Sequence, residues 1–131
     1  MANEAILDIE TEIPIMMNVA DATAIPKGSV LKLNDLMVVT ISAADNDVFG
    51  GIAAEEKIAN DGKTKIAAYM GGMFVLTDSG AGITLGANVT IDGVNVVKTF
   101  TAGDSEDGTV VGKCMETVGA GDTFKCWVGR V

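Results

Sequence analysis

GIAAEEKIANDGKTKIAAYMG, residues 51–71, is the stretch on which the fold turns, because the chain repeats it as GKCMETVGAGDTFKCWVG at residues 112–129. Gly51 and Glu55 reappear as Gly112 and Glu116, both 61 positions further on, which is the mark of an internal repeat. Each run then turns on Gly and Asp and resumes with a lysine inside an apolar segment, Lys65 in the first and Lys125 in the second. The lysine offset is one residue shorter, so a single-residue length difference belongs in the turn. Upstream the likeness is fainter, with AIPKGSVLKL at 24–33 facing GITLGANVTI at 82–91. The expectation is a duplicated β-hairpin unit.

A chain of 131 residues is about one domain and can bury a core without a metal or disulfide staple. Apolar residues make up 48 % but aromatics only 5 %, so the core has to come from Val, Ile, Leu, Ala and Met, a β-compatible set. No window approaches the roughly 18 uncharged apolar residues of a membrane span. The N-terminal MANEAILDIE is acidic where a secretory leader is basic. These features predict a soluble, unprocessed protein with no membrane partner. A net charge of −9, from 18 acids and 9 bases, argues against nucleic acid, whose backbone is bound by clustered Lys and Arg. Histidine, the commonest general acid/base and metal ligand, is absent. Cys114 and Cys126 sit equally far from Ala120 at the centre of a predicted hairpin turn, which makes them cross-strand neighbours and free, half-buried thiols.

Residues 7–19 alternate, with Leu7, Ile9, Thr11, Ile13, Ile15, Met17 and Val19 on one parity, as an extended strand requires. Pro14 offers no amide to a ladder, so it confines the segment to a sheet edge or splits it into two short strands. The first dozen residues either pack as an edge strand of their own domain or reach a neighbouring subunit. Turns are predicted at Pro26-Lys27-Gly28, Asn34-Asp35, Asp61-Gly62 and Asp92-Gly93. Between them, 36–42, 48–55, 63–69 and 73–78 read as strands, and 57–60 could form one helical turn. No segment sustains a helical period, and about nine or ten short strands punctuated by turns predict a sandwich or barrel. The expected architecture is a compact, antiparallel, barrel-like all-β domain over 20–131, with an extended N-terminal arm over 1–19.

Chemistry-bearing motifs fail on inspection. Gly62-Lys63-Thr64 resembles the end of a phosphate loop, but the glycine required five positions earlier is Lys57. Asp45-Asn46-Asp47 and Asp104-Glu106-Asp107 lack the spacing of a calcium loop and read as solvated turns. Glu55 and Glu116 could be argued as a pseudo-symmetric carboxylate pair, yet a glutamate at a hairpin end is ordinarily just exposed. Tyr69 and Trp127 occupy matching positions as core anchors. No catalytic, cofactor or metal site is expected, and the protein is not read as an enzyme.

The runs GKTKIAAYMGGMFVLT at 62–77, TLGANVTID at 84–92 and TVVGKCMETVGAGDTFKCWVGRV at 109–131 resemble the small capsid decoration, or cement, proteins of tailed bacteriophages. Members of that group have sometimes been labelled phage recombinases without possessing a nucleotide site. The resemblance implies an all-β structural protein, typically a homotrimer, made in the bacterial host cytoplasm and displayed on the outer capsid of the virion. Its implied partner is the major capsid protein, whose neighbouring subunits it bridges. In similar proteins the N-terminal segment adds a strand to an exposed capsid edge. The matching residues here are Ala5, Ile6, Leu7, Ile9, Thr11, Ile13, Pro14, Ile15 and Met17, and an extended, alternating segment suits that mode. The competing expectation is a virion-displayed module that binds a host surface or carbohydrate, for which one Trp and one Tyr are the available stacking surfaces.

Overall fold

The computed structural model describes residues 3–101 and 108–129; the acidic loop with Asp104, Glu106 and Asp107 lies outside the described residues. Eleven strands follow in order: β1 (Ile6–Ile9), β2 (Ile15–Asn18), β3 (Val30–Asp35), β4 (Val38–Ile41), β5 (Phe49–Ala53), β6 (Lys65–Tyr69), β7 (Gly72–Asp78), β8 (Asn88–Gly93), β9 (Val96–Thr99), β10 (Val110–Cys114) and β11 (Thr123–Val128). The described residues contain no helix, and residues 57–60 make an isolated bridge and a turn instead of the helical turn expected there.

The repeat seen in the sequence is a repeat of whole barrels. Strands β2-β4-β3-β5-β6 close one barrel. Strands β7, β11, β10, β8 and β9 close a second through the β7–β9 pairing, in the same cyclic order once each label is advanced by five. In both copies the ladder is antiparallel except for the closing pair, β2–β4 and β7–β9, which is parallel. A wholly antiparallel barrel is therefore corrected at one seam per copy. The closing contact is short, a single pair Asn18↔Val38 in the first barrel and Thr77↔Val96 with Asp78↔Val97 in the second.

Two turns sit later than the Asx and Gly residues suggested. Asp35 and Gly93 end strands, and the chain reverses at Leu36-Met37 and Val94-Asn95, where Met37 and Asn95 take left-handed φ values of 55° and 58°. Each hairpin carries a bulge just before its turn, between Leu33 and Asp35 and between Ile91 and Gly93, which absorbs the residue that displaces the turn.

The second barrel is filled by Phe74, Leu76, Val89, Ile91, Val97, Val111, Phe124 and Val128, and this cluster continues into Val30 and Ile52 of the first barrel. Leu31, Val39, Ile66 and Ala68 fill the first barrel around Met17 and Val19. The barrels are also joined by buried polar groups. Asn95 Oδ1 accepts the Val30 amide at 2.8 Å, its own amide donates to Ser42 Oγ at 3.0 Å, and Ser42 Oγ donates to the Gly93 carbonyl at 2.9 Å. Cys114 and Cys126 are direct cross-strand partners, as expected, and are free, but both are fully buried. Burial raises the pKa of both thiols, so they stay protonated and act as small apolar side chains.

Among the described residues Lys57 ranks with Phe74 and Phe124 as one of the largest fully buried side chains. It occupies an apolar slot: Ile25↔Lys57 and Ile83↔Val118 are the matching bridges of the two copies. Its ammonium donates to the carbonyls of Asp21 (2.8 Å) and Ile58 (2.6 Å) and to the carboxylates of Asp61 (2.7 Å) and Asp21 (3.2 Å). Burial alone would lower its pKa, but the bonds to Asp61 and Asp21 outweigh that and hold it above the ordinary lysine value. The bond from Lys57 in turn holds Asp61 below the usual carboxylate value. This cage fills the loop that is one residue longer in the first copy.

The two shifts act at opposite ends of the pH scale. Stability contributed by Asp61 is present above its ordinary pKa of 3.8 and is lost as pH falls through the lower folded value. Stability contributed by Lys57 is present below 10.5 and is lost as pH rises through the higher folded value. Lys57→Met, close in length and needing no acceptor, is expected to shallow both limbs in denaturant unfolding measured across pH. Limbs of equal slope in both proteins would exclude the cage as their source.

Candidate interaction surface

The leader proposed for binding is laid on the chain's own second barrel. β1 pairs antiparallel with β7 through Ile6↔Val75, Leu7↔Phe74 and Ile9↔Met73, with a bulge at the skipped Asp8. The Ala5 amide donates to the Gly28 carbonyl at 2.7 Å, Asp8 pairs with Lys125 at 3.4 Å, and Glu10 hydrogen-bonds the Tyr69 hydroxyl. Burial first, and then that bond to Glu10, raise the Tyr69 pKa. Glycines make room for this track. At Gly28, with φ of +88°, a Cβ would lie 2.5 Å from the Ala5 carbonyl oxygen. At Gly72, with φ of +138°, it would lie 3.2 Å from that of Ile9. Neither position tolerates a side chain without displacing the leader.

Pro14 splits the alternating segment, as one of its two readings required, but the apolar parity is buried only at its far end. β1 is exposed on both faces, and of the predicted parity over 7–19 only Met17 and Val19 reach the core. Ala5, Met17 and Val19 are buried, whereas Ile6, Leu7, Ile9, Thr11, Ile13 and Ile15 are exposed and Pro14 is half-buried. Of the proposed binding residues, Ala5 and Met17 therefore face the core. The remainder form a run of surface side chains in which Ile6 is 64 %, Ile9 56 % and Ile13 80 % exposed. Met16, which the parity argument had set aside, joins this run at 53 %. The only sequence signal for it was its position beside Ile15.

β1 is the end strand of its sheet, so its far edge carries backbone groups that no described strand pairs. Beneath the leader, a shallow pocket at the junction of the barrels is lined by Ala5, Leu7, Lys27, Ile52, Tyr69 and Phe74. Together these features make an apolar, strand-shaped edge on the second barrel.

The other candidate residues do not converge. Glu55 accepts the Ala67 amide at 2.8 Å and pairs with Lys63 at 2.7 Å, and the Lys63 bond lowers its pKa. Glu116 accepts the Lys125 amide at 3.0 Å. Each glutamate thus ties the ends of its own hairpin, and no described bond links the pair. Asp47 accepts the amides of Ala43 and Ala44, and Asp45 pairs with Lys98, so the first acidic loop is held by its own chain. Among the described residues no three His, Cys, Asp or Glu side chains are placed to hold a metal ion. Tyr69 packs edge-on to Phe74 at 5.6 Å, and the half-buried Trp127 has the Lys113 ammonium 6.0 Å above its ring.

Gly28→Ala is expected to loosen the leader by more than about 1 kcal/mol, since it forces a side chain into a left-handed φ against the backbone. In hydrogen exchange the Ala5 and β1 amides should open roughly fivefold faster or more, ahead of the barrels. Unchanged exchange there would show that Gly28 does not hold the leader down.

Residues 9–130 match the family model described as phage cement protein. No curated protein matches the chain.

Proposed function

The chain belongs to the phage cement protein family, and from that premise we propose that it binds the outside of a phage shell and fastens neighbouring major capsid protein subunits through the edge of β1. The observation that carries this reading is the exposed row Ile6, Ile9, Ile13 and Ile15 beside an open strand edge. A capsid strand added at that edge gains backbone hydrogen bonds and covers alternate apolar side chains. Burying one isoleucine fully contributes about 1.5–3 kcal/mol. A single leader offers only a few such anchors, so the reading includes a homotrimer, in which linked leaders gain avidity of about 10²-fold or more with no new contact type. The chain is made in the host cytoplasm and resides on the virion.

The leader works here as a docked strand that extends the sheet of its own barrel toward the capsid, not as a loose arm. That changes the informative variant. Deleting residues 2–15 would also remove Ala5 from the core and the first residue of β2. Substituting exposed positions leaves both barrels intact. The alternative of a host-surface or carbohydrate module lacks a fully exposed aromatic among the described residues: Tyr69 and Trp127, like Phe49 and Phe100, are half-buried.

Co-sedimentation with expanded, undecorated capsids tests the reading. Wild-type protein should pellet with the shells at fixed stoichiometry, and Ile9→Asp or Ile13→Asp should each weaken binding about tenfold or more while the melting curve stays unchanged. Undiminished binding of both variants would remove the leader from the interface. Absence of wild-type binding would remove the capsid reading altogether.

A further inference from the structure

The joint between the two barrels is made once although its parts occur twice. Within the chain, the tip of the β8–β9 hairpin, with Asn95 and Gly93, plugs onto Ser42 and Val30 at the end of the first barrel. The counterpart of that tip is Leu36-Met37, with the same left-handed second residue. The counterpart of the receiving site is Phe100 and Asn88, because the bond from the Ser42 amide to the Val30 carbonyl recurs as Phe100 to Asn88, both at 2.8 Å. A two-fold relation between the barrels would bring this second tip and second site together as well. They do not meet: Leu36 is 84 % exposed, Met37 is exposed, and Phe100 is half-buried and belongs to neither core cluster.

The chemistry of both halves has changed together. Where the internal joint places Asn95 on Ser42, the unused tip carries Met37 and the unused site carries Phe100, so a polar plug and socket have become an apolar pair. Leu33 and Val48, hydrogen-bonded neighbours and both exposed, widen the apolar surface beside the tip. Sulfur packs favourably against an aromatic ring. An apolar hairpin tip left in water serves no folding purpose, whereas one that covers a complementary ring on another copy does.

We propose that the Leu36-Met37 tip of one copy seats on the Phe100 site of a second copy, repeating between chains the joint that the β8–β9 tip makes within one. The contact is heterologous, joining a tip to a site, so each copy offers one of each and successive copies close into a ring if the rotation allows. It does not depend on docking to a capsid, and it is tested with the purified chain alone.

Light scattering coupled to size exclusion, over a concentration series, gives the mass. Wild-type protein should run as a multiple of the single chain. Met37→Glu alone and Phe100→Lys alone should each raise the assembly midpoint by about tenfold or more, as expected for truncating a central apolar contact. The double variant, which places Glu against Lys at every tip-to-site contact, should recover assembly in low salt and lose it in high salt. At concentrations below the wild-type assembly midpoint, thermal melts of the single variants should match wild type, because neither position belongs to a core cluster. A wild-type chain that remains monomeric, or a Phe100→Lys variant that assembles normally, overturns the proposal. So would a double variant no better than the singles.

Discussion

β7 is the strand on which the arrangement depends, because one of its edges has to serve two partners. Its last residues, Thr77 and Asp78, pair with β9 and close the second barrel, while Met73 to Val75 on the same edge pair with β1. The other edge is taken by β11 along nearly its whole length. Its counterpart β2 likewise pairs with its closing strand at one end only, through Asn18, and no described strand lies along the rest of that edge. The ladder for the leader is thus the stretch Met73 to Val75 that β9 leaves unpaired. Without that stretch the leader would have no ladder to join, and its apolar side chains would fray into water.

The duplicated architecture makes departures from symmetry informative. Positions shared by both copies carry the fold: Ile25 and Ile83 at the bridges, Glu55 and Glu116 at the hairpin ends, and Asp21 and Asp78, whose carboxylates accept the amides of Gly62 and Gly121 across the loops. Positions that differ have acquired separate tasks. Lys57 replaces the Val118 slot and brings four oxygen acceptors around one ammonium, a buried charge tolerated only because every donor is satisfied. Asn95 and Ser42 fasten one barrel to the other, and their counterparts Met37 and Phe100 cannot make that bond.

The duplication, the hairpin pairs of 48–55 with 63–69 and 112–129, the break at Pro14 and the facing cysteines were all legible in the sequence, because each rests on local period or on repeat spacing. What was not legible depended on three-dimensional closure. Parallel seams such as Asn18↔Val38 join segments with no local signal of their own. The turns at Leu36-Met37 and Val94-Asn95 were hidden by bulges that moved the reversal past the Asx and Gly residues. Lys57 could have been found by aligning it with Val118 at the 61-residue offset, which puts a lysine in an apolar slot, but the four acceptors come from separate turns. The apolar parity of residues 7–19 misled because alternation marks a strand but not what covers it: β1 lies on a sheet end with both faces exposed, and only Met17 and Val19 of that parity reach the core.

For the proposed capsid contact, a leader already docked on its own barrel is a better clasp than a loose one. Ordering a free segment costs about 1–2 kcal/mol per residue in backbone entropy. For the four residues of β1 that is about 4–8 kcal/mol, comparable to the burial of several isoleucines. Folding the chain has met this cost in advance, so a strand arriving at the open edge meets a preorganised partner. An exposed apolar edge also invites pairing between copies in solution. Two features oppose pairing through β1 here: the strand is short, and its pleat is broken by the bulge beside Asp8.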